Sequence, residues 1–595
     1  MAGLTTLYWR GHLPFPLLLL TLGLGIYPLA KAGLTELWRE RKVGTELFVT
    51  VATLIAFVGG EYVAGTVLMT IILIAEYIAD FNTDRARASI KALVGAAPRT
   101  ATLRTADGEQ TVAVESLTPG SVVLVRAGDR IPVDGTVTVG TAAVNEASIT
   151  GESVPVDRAP GQSVLAGTIV ESGALDVRTE KVGSDTLFAR IVALVEEAES
   201  ETAPVQKLAD RVAAWLLPVV LVFLVVVFFV TRDVRKVVAL LIFTSPAELG
   251  LATPMVMIAA IARAARLGIL VKGGLYLERL AKVDAFVFDK TGTLTYGTPV
   301  VAEIVSNDSG LQEDELLRYA ASADQRSGHP LATAVVKAAR ERGLTLSEPQ
   351  IFRTVHGRGV IAIVDAREVV VGNDALLEEQ AVQRPARVKP YVGTSVHVAV
   401  NGRQMGSVHF VDRPKSGARE AVRALRNSGV RRLVMLTGDN VDSARAVANE
   451  VGIDDVRARL LPEEKVGAID DLRREGFTVA MVGDGVNDAP ALARADVGIA
   501  MGARGTQAAI EAADIALMAD DLSKIALARV LARRAYRTIQ ENLIVGVGIV
   551  HVLGIVAALQ GWIGPIQAAL LHLGPDVLVF LNSVKLLRVR LEAGC

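Results

Sequence analysis

Asp289-Lys290-Thr291-Gly292-Thr293-Leu294-Thr295 follows the apolar run Ala285-Phe286-Val287-Phe288. That run reads as a buried strand. In an open α/β sheet the loops at the carboxyl ends of strands line the reaction crevice, so Asp289 stands where chemistry is done rather than where a core is packed, and its carboxylate is a candidate nucleophile. Two further runs end the same way. Leu433-Val434-Met435-Leu436 leads into Thr437-Gly438-Asp439-Asn440, and Val479-Ala480-Met481-Val482 into Gly483-Asp484-Gly485-Val486-Asn487-Asp488-Ala489-Pro490. Three such ends form a phosphate cradle: glycines let the backbone close in, a hydroxyl and amides hold oxygens, and a second acid beside Asp289 shares a Mg²⁺ that neutralises charge as a phosphoryl group moves. Lys465 lies between the latter two loops and is a candidate cation for the same phosphate. A single Gly-Asp pair is usually a turn; the ordered set is specific.

The chain has 595 residues, enough for several domains. Its 51% hydrophobic content points to a membrane protein with large polar parts. The net charge of −2 implies no nucleic-acid or other polyanionic partner. The single cysteine, Cys595, allows neither an internal disulfide nor a Cys-x-x-Cys metal site.

Apolar runs cover roughly 13–30, 46–59, 62–80, 212–231, 237–262, 541–560 and 563–584, seven candidate spans. The first lacks a convincing signal-peptide cleavage site and is read as an uncleaved helix. The basic stretch 31–42, with Arg39 and Arg41, is expected to be a cytoplasmic connection under the positive-inside rule, which places the two large polar segments in the cytoplasm. The first, about 83–210, alternates Val, Thr and Gly and reads as a compact β domain carrying Thr150-Gly151-Glu152-Ser153 in an exposed loop. The second holds the three strand-end motifs and an insert of about 300–404, long enough to be a domain. The insert contains Ser327-Gly328-His329-Pro330 and His356-Gly357-Arg358-Gly359, where a histidine beside close-approach glycines suits an adenine and its phosphates.

With these residues quoted, the chain resembles the P-type ATPases, and among them the heavy-metal-transporting type IB pumps, over residues 13–587. Transmembrane runs ahead of the β domain and a small nucleotide domain with a His-Pro motif select that branch. The resemblance implies a multidomain membrane protein: a transmembrane helical bundle, a β actuator domain, a Rossmann-like phosphorylation domain of haloacid dehalogenase type and an inserted α+β nucleotide-binding domain. The expected segments are 1–82 (transmembrane), 83–210 (actuator), 211–263 (transmembrane), 264–299 and 405–535 (phosphorylation), 300–404 (nucleotide) and 536–595 (transmembrane). In the family pattern Asp289 is phosphorylated. Lys290, Thr291, Thr437, Gly438, Asp439 and Lys465 serve the phosphate, and Glu152 orients the hydrolytic water. Asp289, Thr291, Asp484 and Asp488 serve Mg²⁺, while Asp324, His329, Gly357 and Gly359 bind ATP; Asp324 replaces the more usual Glu.

The departures fall in the membrane. Where family members carry a Cys-Pro-Cys or Ser-Pro-Cys motif, this chain has Ser245-Pro246-Ala247-Glu248, with neither thiolate. Pro246 is expected to unwind its helix and free carbonyls for a cation. Ser245, Glu248, His572 and Asp576 are the candidate ligands of the transported ion, with His551 in the preceding run. A lone buried His is more often a core residue than a ligand. Two histidines plus two acids in one membrane region favour a functional site. Nitrogen and oxygen donors without sulfur suit divalent Zn, Co, Mn, Fe or Ni over Cu(I), while Met255 and Met257 keep a copper pump as an alternative. About a dozen residues precede the first run, too few for a metal-binding domain, so metal would arrive directly or from an external carrier.

The expected activity is ATP-driven export of a transition-metal cation from a multi-pass protein of the plasma membrane, in contact with lipid and without an obligate protein partner. Two other readings remain: an energising subunit that needs a partner channel, and a dehalogenase-type phosphatase with a membrane anchor. The second leaves Thr150-Gly151-Glu152-Ser153 and the Ser-Pro helix without purpose.

Overall fold

The computed structural model describes residues 15–40, 45–67, 69–70, 73–74, 77, 98–105, 108–150, 154–190, 192–193, 204–244, 247–307, 312–385, 393–484, 488–502 and 511–588. It divides into two compact units, one carrying the apolar helices with the first β domain, the other centred on residues 283–516.

In the first unit the apolar runs form the helices Phe15–Glu40, Thr45–Val58, Pro204–Thr231, Val234–Phe243, Ala247–Arg266, a long helix over Ser523–Leu559 and Pro565–Val584; described parts of the run 62–80 are helical as well. Among the described residues, Ser523–Leu559 and Pro565–Leu587 are long and apolar enough to cross a bilayer. The first helix runs on through most of the basic stretch, as far as Glu40. Lys31, Ala32, Glu36 and Leu37 are good helix formers, and Gly33 leaves room for the Leu47 backbone of the next helix, whose nitrogen would lie 2.5 Å from an added Cβ.

The run 237–262 is broken. One helix ends at Phe243, Thr244 caps it with its hydroxyl donating to the Leu240 carbonyl at 3.0 Å, and the next helix begins at Ala247. Ser245 and Pro246 themselves lie outside the described residues. Residues Val238 to Phe243 are buried in a core shared with Ala52, Ala56, Leu224, Ala558 and Ala568. On the outward faces of the same bundle Val222, Phe229, Ile544, Val552 and Leu553 are each at least 60% exposed, an apolar surface that water does not tolerate and a lipid bilayer does. The long C-terminal helix passes through a π-helical stretch at Asn542–Ile549. It is tied to the last helix by amides: Asn542 donates to Ser583 Oγ at 3.1 Å and Asn582 to Asn542 Oδ1 at 3.0 Å.

The β domain is antiparallel, ordered Gly108–Ala113, Thr100–Thr105, Val122–Arg126, Ile169–Lys181, Asp134–Asn145, Val156–Arg158. Its core is valine-rich, as period-two alternation predicts: Val123, Val125, Val137, Leu175 and Val177 are at most 1% exposed. The strand Asp134–Asn145 feeds the short helix Ala147–Thr150, and the chain returns at Val156–Arg158 to pair Val156 with Val144.

In the second unit the parallel sheet is ordered Asp455–Arg457, Arg432–Leu436, Ala285–Asp289, Val479–Gly483, Val497–Ala500, Ile515–Leu517. Ala285–Asp289 is the earliest of these strands, and later strands were added first on one side and then on the other. The order therefore reverses at Asp289, which is where the crevice of an open sheet opens. The insert is a second, antiparallel sheet whose outer pair, Thr295–Ser306 and Arg403–Pro414, runs out from the Asp289 turn with two register shifts near its start, pairing Thr295 with Pro414 at one end and Ser306 with Gly406 at the other. Helices Glu313–Asp324 and Pro330–Glu341 pack on it through Leu316, Leu317, Ala320 and Val335.

One glycine of the bundle is fixed by a ring. A Cβ on Gly554 would stand 2.2 Å from Phe243 Cδ1, whereas one on Gly23 meets nothing within 4 Å. Gly554→Ala should therefore overpack the helix contact and destabilise the protein by about 1–3 kcal/mol, read as a lower melting temperature in detergent, while Gly23→Ala leaves it unchanged or higher. Equal melting temperatures for both variants would contradict this packing.

Candidate active site

Asp289 ends the central strand with its carboxyl 8% exposed, level with Leu436 on the neighbouring strand. The backbone then turns through Gly292, whose φ of +76° is a left-handed conformation natural to glycine. Lys465, in the first turns of the helix Pro462–Arg474, reaches across with Nζ 2.6 Å from Asp289 Oδ1 and 2.7 Å from Asp488 Oδ1. The loop from Thr437 to Asn440 is stitched to the segment leading into that helix: the Arg459 amide donates to the Asp439 carbonyl at 2.9 Å and the Leu460 amide to the Thr437 carbonyl at 3.0 Å. Thr437 is buried, and its Oγ1 accepts the Asp439 amide at 3.1 Å. Asp488 stands at the start of the helix Ala489–Arg494 after the third strand end, packed so closely on Gly483 that an added Cβ there would lie 2.7 Å from Oδ2.

The electrostatics follow from crowding. Burial, and after it the nearby Asp488 carboxylate, push the Asp289 carboxyl up to about 6, against the downward pull of the Lys465 ammonium. Burial alone would lower Lys465, but the two carboxylates it touches raise it above the usual lysine value, so it stays charged. The fully buried Lys290 pairs with Asp439 and lies 3.8 Å from Asp412.

Of the expected phosphate and Mg²⁺ residues, the structure gathers Asp289, Lys290, Thr437, Asp439, Lys465 and Asp488 through these contacts, with Asp484 near enough to raise Asp289 further. Thr291 is exposed in the turn, and Gly438 stands with Leu460 O as its nearest neighbour. Gly485, Val486 and Asn487 lie outside the described residues, as do Gly151, Glu152 and Ser153. The flanks of that last gap are joined by an ion pair: Arg158 donates from Nε at 3.1 Å and Nη2 at 2.5 Å to Glu146 Oε1, with the acid 3% exposed.

In the insert Asp324 ends its helix buried, and burial pushes its carboxyl up to about 7, so near neutrality a protonated Asp324 can donate a hydrogen bond. His329, five residues on, is exposed and caps the next helix, Nδ1 accepting the Leu331 amide at 3.2 Å. The glycine pair divides in role. Gly359 is a packing glycine, since a Cβ there would meet Val371 O at 2.2 Å, whereas Gly357, at φ +69°, faces open space and exposes its backbone to a ligand.

In the membrane bundle His572 is buried beside His551, ring centres 5.5 Å apart. The side chains of Glu248 and Asp576, like Ser245, lie outside the described residues. Sequence reasoning missed Asp412 and Lys415. Asp412 accepts the Thr295 hydroxyl at 2.5 Å and the Gly297 amide at 3.0 Å, and Lys415 donates to the Gly292 carbonyl and Asp520, each at 2.5 Å. The available signal was a charged cluster, Asp412-Arg413-Pro414-Lys415, at the end of an apolar strand.

A carboxyl raised on folding binds protons more tightly in the folded state, so its ionisation opposes folding. That cost is complete above about pH 6 and disappears as pH falls below the ordinary carboxylate range. Asp289→Asn should therefore raise stability at pH 8, by at most about 3 kcal/mol, with the gain vanishing near pH 4. A melting-temperature gain of equal size at both pH values would mean that Asp289 is not strained by charge.

Residues 283–496 match the haloacid dehalogenase-like hydrolase family and residues 95–196 the P-type ATPase actuator domain. The chain is 39% identical to the zinc-exporting P-type ATPase of Mycobacterium marinum and 40% identical to the manganese-exporting P-type ATPase of Mycobacterium leprae, in each case over 95% of this chain and 79% of the relative. A zinc-transporting PIB-type ATPase crystallised in the E2.Pi state superposes with a TM-score of 0.65 at 32% identity, covering 99% of this chain and 98% of the other. A carboxylate held at the switch point of such a sheet, a β domain of actuator type and likeness over nearly the whole length establish that this membrane protein belongs to the P-type ATPases, in their heavy-metal-transporting type IB branch.

Proposed function

We propose that the protein exports a borderline divalent metal cation across the plasma membrane, driven by ATP through an aspartyl phosphate on Asp289. The observation that carries this reading is the buried Asp289 carboxylate held by Lys465 where the strand order reverses. Ionised Asp289 attacks the γ-phosphorus of ATP; the new bond joins its carboxylate oxygen to phosphorus, the bond to the β,γ-bridging oxygen breaks, and ADP leaves. Lys465, the Thr437 hydroxyl and the Gly438 amide offset the charge on the phosphoryl oxygens. Asp324 and His329 orient the nucleotide over the exposed Gly357 backbone. Glu152 then aligns a water whose oxygen bonds to phosphorus as the Asp289–phosphorus bond breaks, releasing phosphate.

Asp484 and Asp488 beside Asp289, with one ammonium bridging Asp289 and Asp488, make a hard-oxygen, net-negative donor set, and it fits Mg²⁺, which is bound by one or two carboxylates together with substrate phosphates. Asp289, Thr291, Asp484 and Asp488 would hold it, and when bound it supplies neutralisation of the transferring group. The metal cargo is assigned to the membrane break, with Ser245, Glu248, His572 and Asp576 as candidate ligands. The zinc and manganese exporters among the relatives support the divalent class.

Purified protein should take ³²P from γ-labelled ATP, and Asp289→Asn should abolish it. Glu152→Gln should still label but accumulate phosphoenzyme, because it removes water alignment and not the nucleophile; failure to label at all would make Glu152 structural. Across a panel of Zn²⁺, Co²⁺, Mn²⁺, Fe²⁺, Ni²⁺ and Cu⁺, ATPase stimulation should fall on divalent ions. His572→Ala and Glu248→Ala should each lose it while remaining phosphorylated by inorganic phosphate. Stimulation by Cu⁺ alone would support the copper reading, and none by any ion would point to a partner subunit.

A further inference from the structure

Two imidazoles share one apolar pocket of the helix bundle. His572, 1% exposed, faces His551 across two helices at a ring-centre distance of 5.5 Å and an interplanar angle of 68°. The Phe243 ring packs beside both, 6.4 Å from His551 and 6.1 Å from His572 between ring centres. Phe243 is also the last residue of its helix before the break at 244–246. The pair thus lies beside the end of this helix, which Thr244 caps.

The geometry suits a shared ion. With zinc–nitrogen bonds of about 2.1 Å and each nitrogen about 1.1 Å from its ring centre, two imidazoles on one tetrahedral ion have centres about 5 Å apart. The observed spacing of 5.5 Å is close to this. His551 is also held in a tautomer that can bind metal. Its Nδ1 lies 2.7 Å from the Val547 carbonyl, which can only accept, so Nδ1 carries the proton and Nε2 the lone pair. Its placement depends on two features of its helix. The π-helical stretch Asn542–Ile549 just upstream shifts the helical phase, a device found mostly at functional sites. Gly554, one turn downstream, lets the Phe243 ring lie against the backbone.

We infer that His551 is a second imidazole ligand of the transported cation, paired with His572. The inference rests on the transport reading above and narrows its substrate: two imidazole ligands favour Zn²⁺ and Co²⁺, while Mn²⁺ prefers an all-oxygen site and Cu⁺ prefers sulfur. An ionisable side chain inside a span is costly, and two facing one another beside a helix break are better explained by a shared ion than by packing.

X-ray absorption at the zinc edge, on full-length protein in detergent loaded with Zn²⁺ and without ATP, counts imidazoles directly. The wild type should show two, and His551→Ala and His572→Ala one each, with zinc affinity weakened at least about tenfold in either variant. His551→Gln, closer in volume, should give the same loss of one imidazole, and phosphorylation of each variant by inorganic phosphate reports an intact fold. One imidazole in the wild type, kept in His551→Ala and lost in His572→Ala, would overturn this inference and leave the transport reading standing. A wild type that binds Zn²⁺ through no imidazole, or binds none of the ions that stimulate it, would take down both.

Discussion

A single ammonium group holds together a place that electrostatics would otherwise force apart. Two neighbouring strand ends deliver Asp289, Asp484 and Asp488 to one crevice, and Lys465 stands between Asp289 and Asp488 at 2.6 and 2.7 Å. Burial, and after it the like charge of Asp488, raises the affinity of Asp289 for a proton and lifts its carboxyl to about 6. Such a site is poised: it is short of positive charge by an amount that a divalent ion can supply, and its lysine is available to a phosphate. Much of the surrounding structure serves this arrangement. The loop of Thr437 is bound to the segment that presents Lys465, and Gly483 is small because Asp488 lies against it.

That Asp289, Thr437 and Asp488 meet in one crevice was readable in advance because parallel sheets gather the loops after apolar strands at one edge, so each residue announced itself in a short contiguous motif. Asp412 and Lys415 did not. Their partners, Thr295 and Gly292, are 117 and 123 positions away, and no local pattern encodes a contact of that range.

In the bundle the sequence offered ligand types without neighbours. That His551 meets His572 could not be taken from helical periodicity, since the π-helical stretch between Asn542 and Ile549 displaces the phase of everything after it. The glycine that makes the meeting possible, Gly554, looks like any small residue in an apolar run until the ring of Phe243 is found against it. A missing side chain on one helix thus brings the broken helix and the histidine pair together.

The insert is joined to the Asp289 turn by a two-stranded ribbon. Antiparallel strands linked by a ladder of hydrogen bonds resist stretching and sideways shear but flex across their flat face, and bulges soften them locally. The register shifts of this ribbon fall between Thr295 and Pro299 and between Val301 and Glu303, close to its root. The nucleotide-binding sheet is therefore mounted like a door on a leaf hinge, with one compliant axis. Asp412, on the second leaf, grips both Thr295 and Gly297 on the first, so a swing of the door is felt as torque at the turn that follows Asp289.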